Sequence, residues 1–325
     1  MGKENTIVWK NYDATGRDFH VDVPLSQAII NYRTEGLAGE DVFPVIPVRK
    51  QSNMIPSIPL GEFLRSESAL RAPGTEANKV KFGISTATYF CKNYALKYPL
   101  TIEDRENADE VWGVRQNGAY LIADLLRIQK ELRVFNTINS STNVNTVFTP
   151  TSAWNADSHP LDDLLRMSNR VQDCTGFMPN YYLFGQTAWR TVRTNSAIRA
   201  LLFPHGGGLA TEQMVGQLIG SNVKVAVAQG YYTTAAEGVV PTVLTTFFDD
   251  AVFCCYNPAG NTIGPLPRYS ATLRWTLPGV PNMVVEVHPF DTKVKAEEIE
   301  VGVYDDEKVF DTKLSAITKG INSAQ

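Results

Sequence analysis

The chain has 325 residues, a formal charge of −4, and acids and bases mixed along its length. A hydrophobic share of 43% is enough for a sizeable core, in one large domain or in two that share strands. No basic stripe marks a dedicated nucleic-acid reader, no apolar run reaches the length of a membrane span, and Met1 to Asn11 lack the apolar core of a signal peptide.

Residues 1–50 read as an arm. A small helix is expected from Ser26 to Arg33, around Leu25, Ile29 and Ile30. The following Val42-Phe43-Pro44-Val45-Ile46-Pro47-Val48 carries two prolines, which forbid a central strand and favour an extended edge segment.

Residues 51–100 read as a long two-stranded excursion, Met54 to Leu64 leading out and Lys79 to Pro99 leading back. Pro73-Gly74 marks a turn at the tip. Glu62, Arg65, Glu67, Arg71, Glu76 and Lys79 crowd this tip, and a hairpin this long cannot bury a core of its own. The hairpin therefore needs a partner, in its own chain or in a neighbour; across a neighbour's surface these six side chains would be intersubunit contacts.

Thr101 to Glu110 carries five acids, Glu103, Asp104, Glu106, Asp109 and Glu110, as a helix start favours. A helix from about Glu106 to Asn136 follows, roughly 45 Å long at the usual rise. Leu121, Leu125, Ile128 and Leu132 recur at intervals of three and four and are expected to form its core face against a sheet, with Ile122 and Leu126 broadening the stripe and Gly118 interrupting it. A second helix begins at Ser158-His159-Pro160 and ends near Gly176.

Pro179 to about Gly264 reads as a compact α/β unit. It holds a short buried strand at Pro179 to Gly185, helices through Trp189 and Ile198, and a helix from Glu212 capped by Thr211. Strands are expected at Val223 to Val227, Val239 to Phe248 and Ala251 to Tyr256, with Asp249-Asp250 as a tight turn. Gly206, Gly207 and Gly208 form a flexible loop. Strands return at Tyr269 to Leu277, Asn282 to Phe290, Ile299 to Tyr304 and Lys308 to Phe310, with Asp305-Asp306-Glu307 as a polar turn and the last dozen residues as a tail.

No site chemistry emerges. Gly206 to Gly208 lack the lysine of a phosphate loop, and the four histidines, His20, His159, His205 and His288, are far apart. The four cysteines, Cys91, Cys174, Cys254 and Cys255, fit no zinc or redox spacing; Cys254 and Cys255 read as alternating faces of one strand. No cofactor or metal is expected. Asp249 and Asp250 would be the carboxylates of a rival reading as an unrecognised hydrolase.

The order of parts is the informative feature: arm, charged hairpin, strut helix, α/β unit, returning strands. It resembles the major capsid proteins of tailed bacteriophages, the Hong Kong 97-type fold. Val42 to Val48 looks like the segment joining arm to hairpin. Arg71-Ala72-Pro73-Gly74-Thr75 with Phe82-Gly83 looks like the hairpin tip and return. Tyr98-Pro99-Leu100-Thr101-Ile102-Glu103-Asp104-Arg105 looks like the approach to the long helix, and Gly176-Phe177-Met178-Pro179-Asn180 with Trp189 looks like the passage into the axial unit.

The resemblance implies an α+β chain with an N-terminal arm (1–50), an extended loop (51–100), a peripheral domain (101–178 and 265–325) built on a long spine helix, and an α/β axial domain (179–264). It implies a structural subunit, not an enzyme, that assembles with itself into the pentamers and hexamers of an icosahedral head around double-stranded DNA, which it touches non-specifically. Portal, scaffolding and decoration proteins are the other implied partners. A separate scaffolding protein is expected, because no long charged helical leader precedes the arm. The virion capsid, and the host cytoplasm during assembly, are the implied locations. An encapsulin-type cellular compartment is the alternative with the same fold.

Overall fold

The computed structural model describes residues 20–31, 36–57, 59–66, 69–71, 73–81, 83, 85–107, 113–203, 205, 208–236, 239–240, 242–260, 267–276, 283–291, 293 and 295–322. Its N-terminal part runs through His20–Val21 (β1), Val23–Asn31 (α1), Gly39–Val42 (α2), Val45–Val48 (β2), Ser52–Ser57 (β3), Leu60–Phe63 (α3), Ser85–Phe90 (β4) and Lys92–Thr101 (β5). Ile102–Glu106 (α4) follows, with the Thr101 hydroxyl accepting from the Asp104 amide. Next comes the spine helix Val114–Asn139 (α5), whose 26 residues span about 39 Å.

Thr146–Phe148 (β6) leads to Pro160–Thr175 (α6), which starts on a proline with Asp162 and Asp163 in its first turn. It stops at Gly176, whose φ of 75° suits glycine best. Then come Tyr181–Phe184 (β7), Gln186–Thr194 (α7), Ser196–Leu202 (α8), Glu212–Ile219 (α9), Lys224–Val227 (β8), Tyr231–Tyr232 (β9), Thr245–Thr246 (β10) and Ala251–Cys255 (β11). Ser270–Trp275 (β12), Val284–Asp291 (β13), Ala296–Val309 (β14) and Ser315–Lys319 (β15) complete the chain.

Two main sheets carry the fold. The first is six-stranded and centres on β14. β5 lies antiparallel along one side of it, from Thr101 opposite Ala296 to Lys92 opposite Asp305. β13 and β12 share its other side. β1 closes one edge on β13, and β2 lies parallel to β12 at the other, so the proline-bearing segment is an edge strand as its composition requires.

α5 crosses this sheet. Its buried residues are Ala119, Ile122, Ala123 and Leu126, packed with Leu25 and Ile29 of α1 and with Val285, Ile299 and Val301. Each fully buried leucine or isoleucine here is worth about 1.5–3 kcal/mol relative to exposure. Farther along, Val134, Phe135 and Ile138 enter a second cluster. The expected core stripe is therefore corrected: Leu121 and Leu125 are 55% and 45% exposed, while Ile128 and Leu132 are only partly buried. The reason is close approach. Tyr98 of β5 lies so near the helix that a Cβ on Gly118 would sit 2.6 Å from its ring. Gly118, Ala119 and Ala123 let the helix approach the sheet, Ile122 and Leu126 pack beside them, and Leu121 and Leu125 turn out.

The second sheet has five strands, in the order β6-β15-β11-β7-β8. Alternation splits its side chains between two cores. Tyr182, Phe184, Val252, Cys254 and Ala316 face α6, α7, α8 and α9. Tyr181, Leu183, Phe253, Cys255 and Ile317 face Val134, Phe135 and Ile138 of α5 together with Phe43, Phe247, Phe248 and Tyr269. Cys254 and Cys255 thus do alternate. β6, α6 and β15, all outside 179–264, are part of this sheet and its cover.

Other expectations give way. The last dozen residues are not simply a tail: Ser315 to Thr318 are buried in β15, between β6 and β11. Asp305-Asp306-Glu307 is not a turn but the interior of β14, and each acid has a partner. Arg274 grips Asp305 with two 2.7 Å bonds, the Phe90 amide donates to Asp306 at 3.1 Å, and Arg133 donates to Glu307 at 2.8 Å. Val239 to Phe248 yields only the two-residue β10, paired with β9. The expected return strand divides at Cys91: β4 pairs with β3, and β5 belongs to the main sheet.

Candidate assembly surfaces

The arm is fastened to the spine helix through buried charge. Glu131, in α5, is 3% exposed, and its carboxylate accepts from the Ala38 amide at 2.7 Å and from the Gly39 amide at 3.0 and 2.9 Å. Burial pushes its carboxyl up to about 7, against the downward pull of the two amides and of Lys130. Beside it, Lys130 donates to Glu40 at 2.7 Å. Sequence reading passed over this pair. The signal was a lysine at the i+4 step between Leu126 and Val134, a row that the helix buries.

The arm also bonds the sheets. Asn257 Nδ2 and the Ser270 hydroxyl both donate to the Val42 carbonyl, at 2.8 and 2.7 Å. α5 is held to the first sheet by Arg133, whose guanidinium lies 3.7 Å over the Tyr94 ring while it bonds Glu307.

The extended loop leaves the body through β3 and β4. Its root is tied down: Tyr89 donates to the Lys50 carbonyl at 3.0 Å, Lys308 to the Thr88 carbonyl at 2.7 Å, and the Cys91 thiol to the Leu273 carbonyl at 3.3 Å. Beyond Ser57 and Ser85 the ladder ends. Of the six charged residues expected to reach a neighbour, Glu62 pairs with Arg65 at 3.1 Å and Glu76 with Lys79 at 3.8 Å. Arg71 donates to the Thr75 carbonyl, and Glu67 lies outside the described residues. Among the described residues the structure does not gather these charges into one cluster: the two ion pairs join residues three apart, and Arg65 also donates to the Lys81 carbonyl at 3.1 Å. The loop's apolar residues are the more telling feature: Leu70 is 91% exposed, and Met54, Leu64 and Val80 are exposed as well.

Of the glycine-rich loop, Gly206 and Gly207 lie outside the described residues. Gly208 sits against the Phe203 ring, and its carbonyl accepts from Arg199 at 2.9 Å. Asp249 and Asp250, the carboxylates of the hydrolase reading, hold a corner. Asp249 accepts from the Thr187 amide at 3.2 Å and from the Thr187 hydroxyl, and Asp250 from the Asn322 amide at 2.8 Å. His288 bonds Glu300 at 2.8 Å, beside Lys97. No group of three His, Cys, Asp or Glu fit to hold a metal occurs among the described residues, and no described helix is long and apolar enough to cross a membrane.

No family model and no curated protein matches the chain. Solved structures do. A phage-related protein from Bordetella bronchiseptica matches with a TM-score of 0.73 at 18% identity, over 93% of this chain and 97% of that one. The capsid of the cyanophage P-SCSP1u matches at 0.56 and 12% identity, over 89% of each. The SrpI encapsulin of Synechococcus elongatus matches at 0.50 and 14%, over 94% of this chain and 96% of its own. At these identities the likeness is one of fold: over about nine tenths of its length the chain has the Hong Kong 97-type capsid fold.

Proposed function

We propose that this chain is the structural subunit of an icosahedral phage head, assembling with itself into pentamers and hexamers around double-stranded DNA. One observation carries the reading. A fold shared with capsid proteins spans nearly the whole chain, and it includes a loop whose Met54, Leu64, Leu70 and Val80 are exposed. Such a surface is costly on a monomer and is expected where a neighbour covers it.

The role is structural and not enzymatic. The arm, the extended loop, a peripheral part around α5 and an axial part around the five-stranded sheet are the working units. Glu62, Arg65, Glu67, Arg71, Glu76 and Lys79 set register against the neighbouring subunit, and the loop at Gly206, Gly207 and Gly208 faces the symmetry axis. Portal, scaffolding and decoration proteins complete the particle, which forms in the host cytoplasm and ends as the virion capsid.

The SrpI match supports a second reading, a cellular compartment shell. Electron microscopy of the chain expressed with its neighbouring genes tests both. Closed shells of pentamers and hexamers are expected, filled with DNA in the first case and with an enzyme cargo in the second. A monodisperse monomer at all concentrations and salts, with or without scaffold, would sink both.

A further inference from the structure

The extended loop meets its own subunit at a second place, beyond its root. At the root, the Phe90 amide donates to Asp306 at 3.1 Å and Lys308 to the Thr88 carbonyl at 2.7 Å, which ties β4 to β14 of the first sheet. Past the end of the ladder the two limbs of the loop are still joined at α3. Arg65, paired with Glu62, donates to the Lys81 carbonyl at 3.1 Å, and a Glu62 carboxylate oxygen lies 3.3 Å from where a Cβ on Gly83 would stand. Leu64 then reaches the body. Its two methyl carbons lie 3.7 and 3.8 Å from where a Cβ on Gly176 would stand.

Gly176 ends α6, which covers the second sheet. Its bare backbone is a seat, and the chain on either side of it is held. The Thr175 hydroxyl donates to the Val171 carbonyl at 2.6 Å and accepts from the Phe177 amide at 3.2 Å. The Phe177 ring stacks on Tyr256, 5.0 Å between centroids. A two-stranded ladder held at its root alone can swing, because a hairpin has no core of its own. A second contact away from the root removes that freedom. Here the root rests on one sheet and Leu64 on the helix that covers the other, so the direction of the loop is set against both. Leu64 stays 57% exposed, so the contact orients the loop more than it buries it.

We infer that Leu64 on Gly176 is a brace that aims the extended loop. It fixes α3 to its own subunit and presents the part of the loop beyond α3 to the neighbour at a set angle. Leu64 is thus a positioning residue for shell closure. The inference rests on the shell-subunit reading and adds to it the contact that directs the loop.

Trypsin on the unassembled full-length subunit tests the contact, because Arg65 adjoins the brace and Arg71 lies beyond it. Leu64→Ala removes the two methyl groups. Gly176→Asn fills the seat with a residue that tolerates a positive φ and leaves the sequence of the cleavage site intact. Each variant should be cut several-fold faster after Arg65 and at the wild-type rate after Arg71, and Leu64→Met should restore the slow cut. Expressed with its neighbouring genes, Leu64→Ala should give open or misshapen particles under the electron microscope, and Leu64→Met closed shells. Unchanged cleavage after Arg65 in Gly176→Asn overturns the brace, and so do normal shells from Leu64→Ala. Failure of the unsubstituted chain to form shells overturns the shell reading and the aiming role with it, while the cleavage rates still decide whether Leu64 holds α3.

Discussion

The Glu131 carboxylate of the spine helix holds the Gly39 amide of the arm with both oxygens, at 3.0 and 2.9 Å, inside the protein. Its carboxyl is pushed up from 4.5 to about 7, chiefly by burial. Between those two values the folded chain keeps a proton that the unfolded chain has lost. Folding then takes up a proton, so this group's contribution to stability falls as pH rises through the window and levels off above it. Glu131→Gln stays neutral throughout. The melting temperature of the wild type relative to Glu131→Gln should therefore drop between pH 5 and pH 8, whichever protein melts higher at the start. Parallel curves in thermal melts across that range would mean that Glu131 titrates as an ordinary surface acid.

Gly118 and Tyr98 set the distance between helix and sheet. A methyl group at Gly118 would meet the Tyr98 ring at 2.6 Å. Overpacking of this kind costs about 1–3 kcal/mol, against a gain of about 1 kcal/mol from alanine's helix propensity. Gly118→Ala should be neutral to destabilising in the wild type. In a Tyr98→Leu background, where the ring is gone, it should stabilise. Denaturant melts of the four proteins of this cycle give the answer; additivity would deny the contact.

Leu126 and Leu125 are neighbours with opposite fates. Leu126 is 5% exposed in the core under α1, while Leu125 looks out. Leu126→Ala should cost about 2–5 kcal/mol in the monomer and Leu125→Ala under about 1 kcal/mol. Equal losses in urea melts would restore the stripe expected from spacing.

What was legible in the sequence was whatever rests on local chemistry. The cap at Thr211, the proline start and glycine stop of α6, the alternation at Cys254 and Cys255, and the edge character of Val45–Val48 all follow from single residues and their immediate neighbours. What failed depended on distant partners. Asp305 reads as a turn residue until Arg274 is placed beside it, 31 positions away. Leu121 and Leu125 read as core until Tyr98 is seen to demand the small side of the helix. Glu131 is silent in sequence because what it caps is 92 residues upstream. The loop charges were noticed and its exposed Leu70 was not, because exposure is a property of the fold.

Arg274 and Asp305 make the most deeply buried ion pair named above, Asp305 being fully inaccessible. Removing one partner strands the other charge in the interior. Asp305→Ala should cost about 3–5 kcal/mol, and pairing it with Arg274→Met should recover much of that loss. A double variant no more stable than Asp305→Ala in denaturant melts would show that the pair is not the source of the penalty.

The extended loop gives the sharpest test of assembly. Its root is bonded to the body by Tyr89, Cys91 and Lys308, so the body does not need the tip in order to fold. The tip offers ion pairs between residues three apart, Glu76 with Lys79 in full solvent and Glu62 with Arg65 partly shielded, and pairs of the exposed kind are worth little. Its leucine and valine side chains have water around them. A segment built this way gains stability only when a neighbour supplies the other half of its contacts. The loop should be cut readily by protease in the free subunit and protected in the shell. Replacing Glu62 to Lys79 by a short linker should leave a subunit with the wild-type circular dichroism spectrum that no longer closes shells under the electron microscope. Normal shells from the deletion variant would show that the loop does not join subunits, and an unfolded variant would show that the body depends on the tip after all.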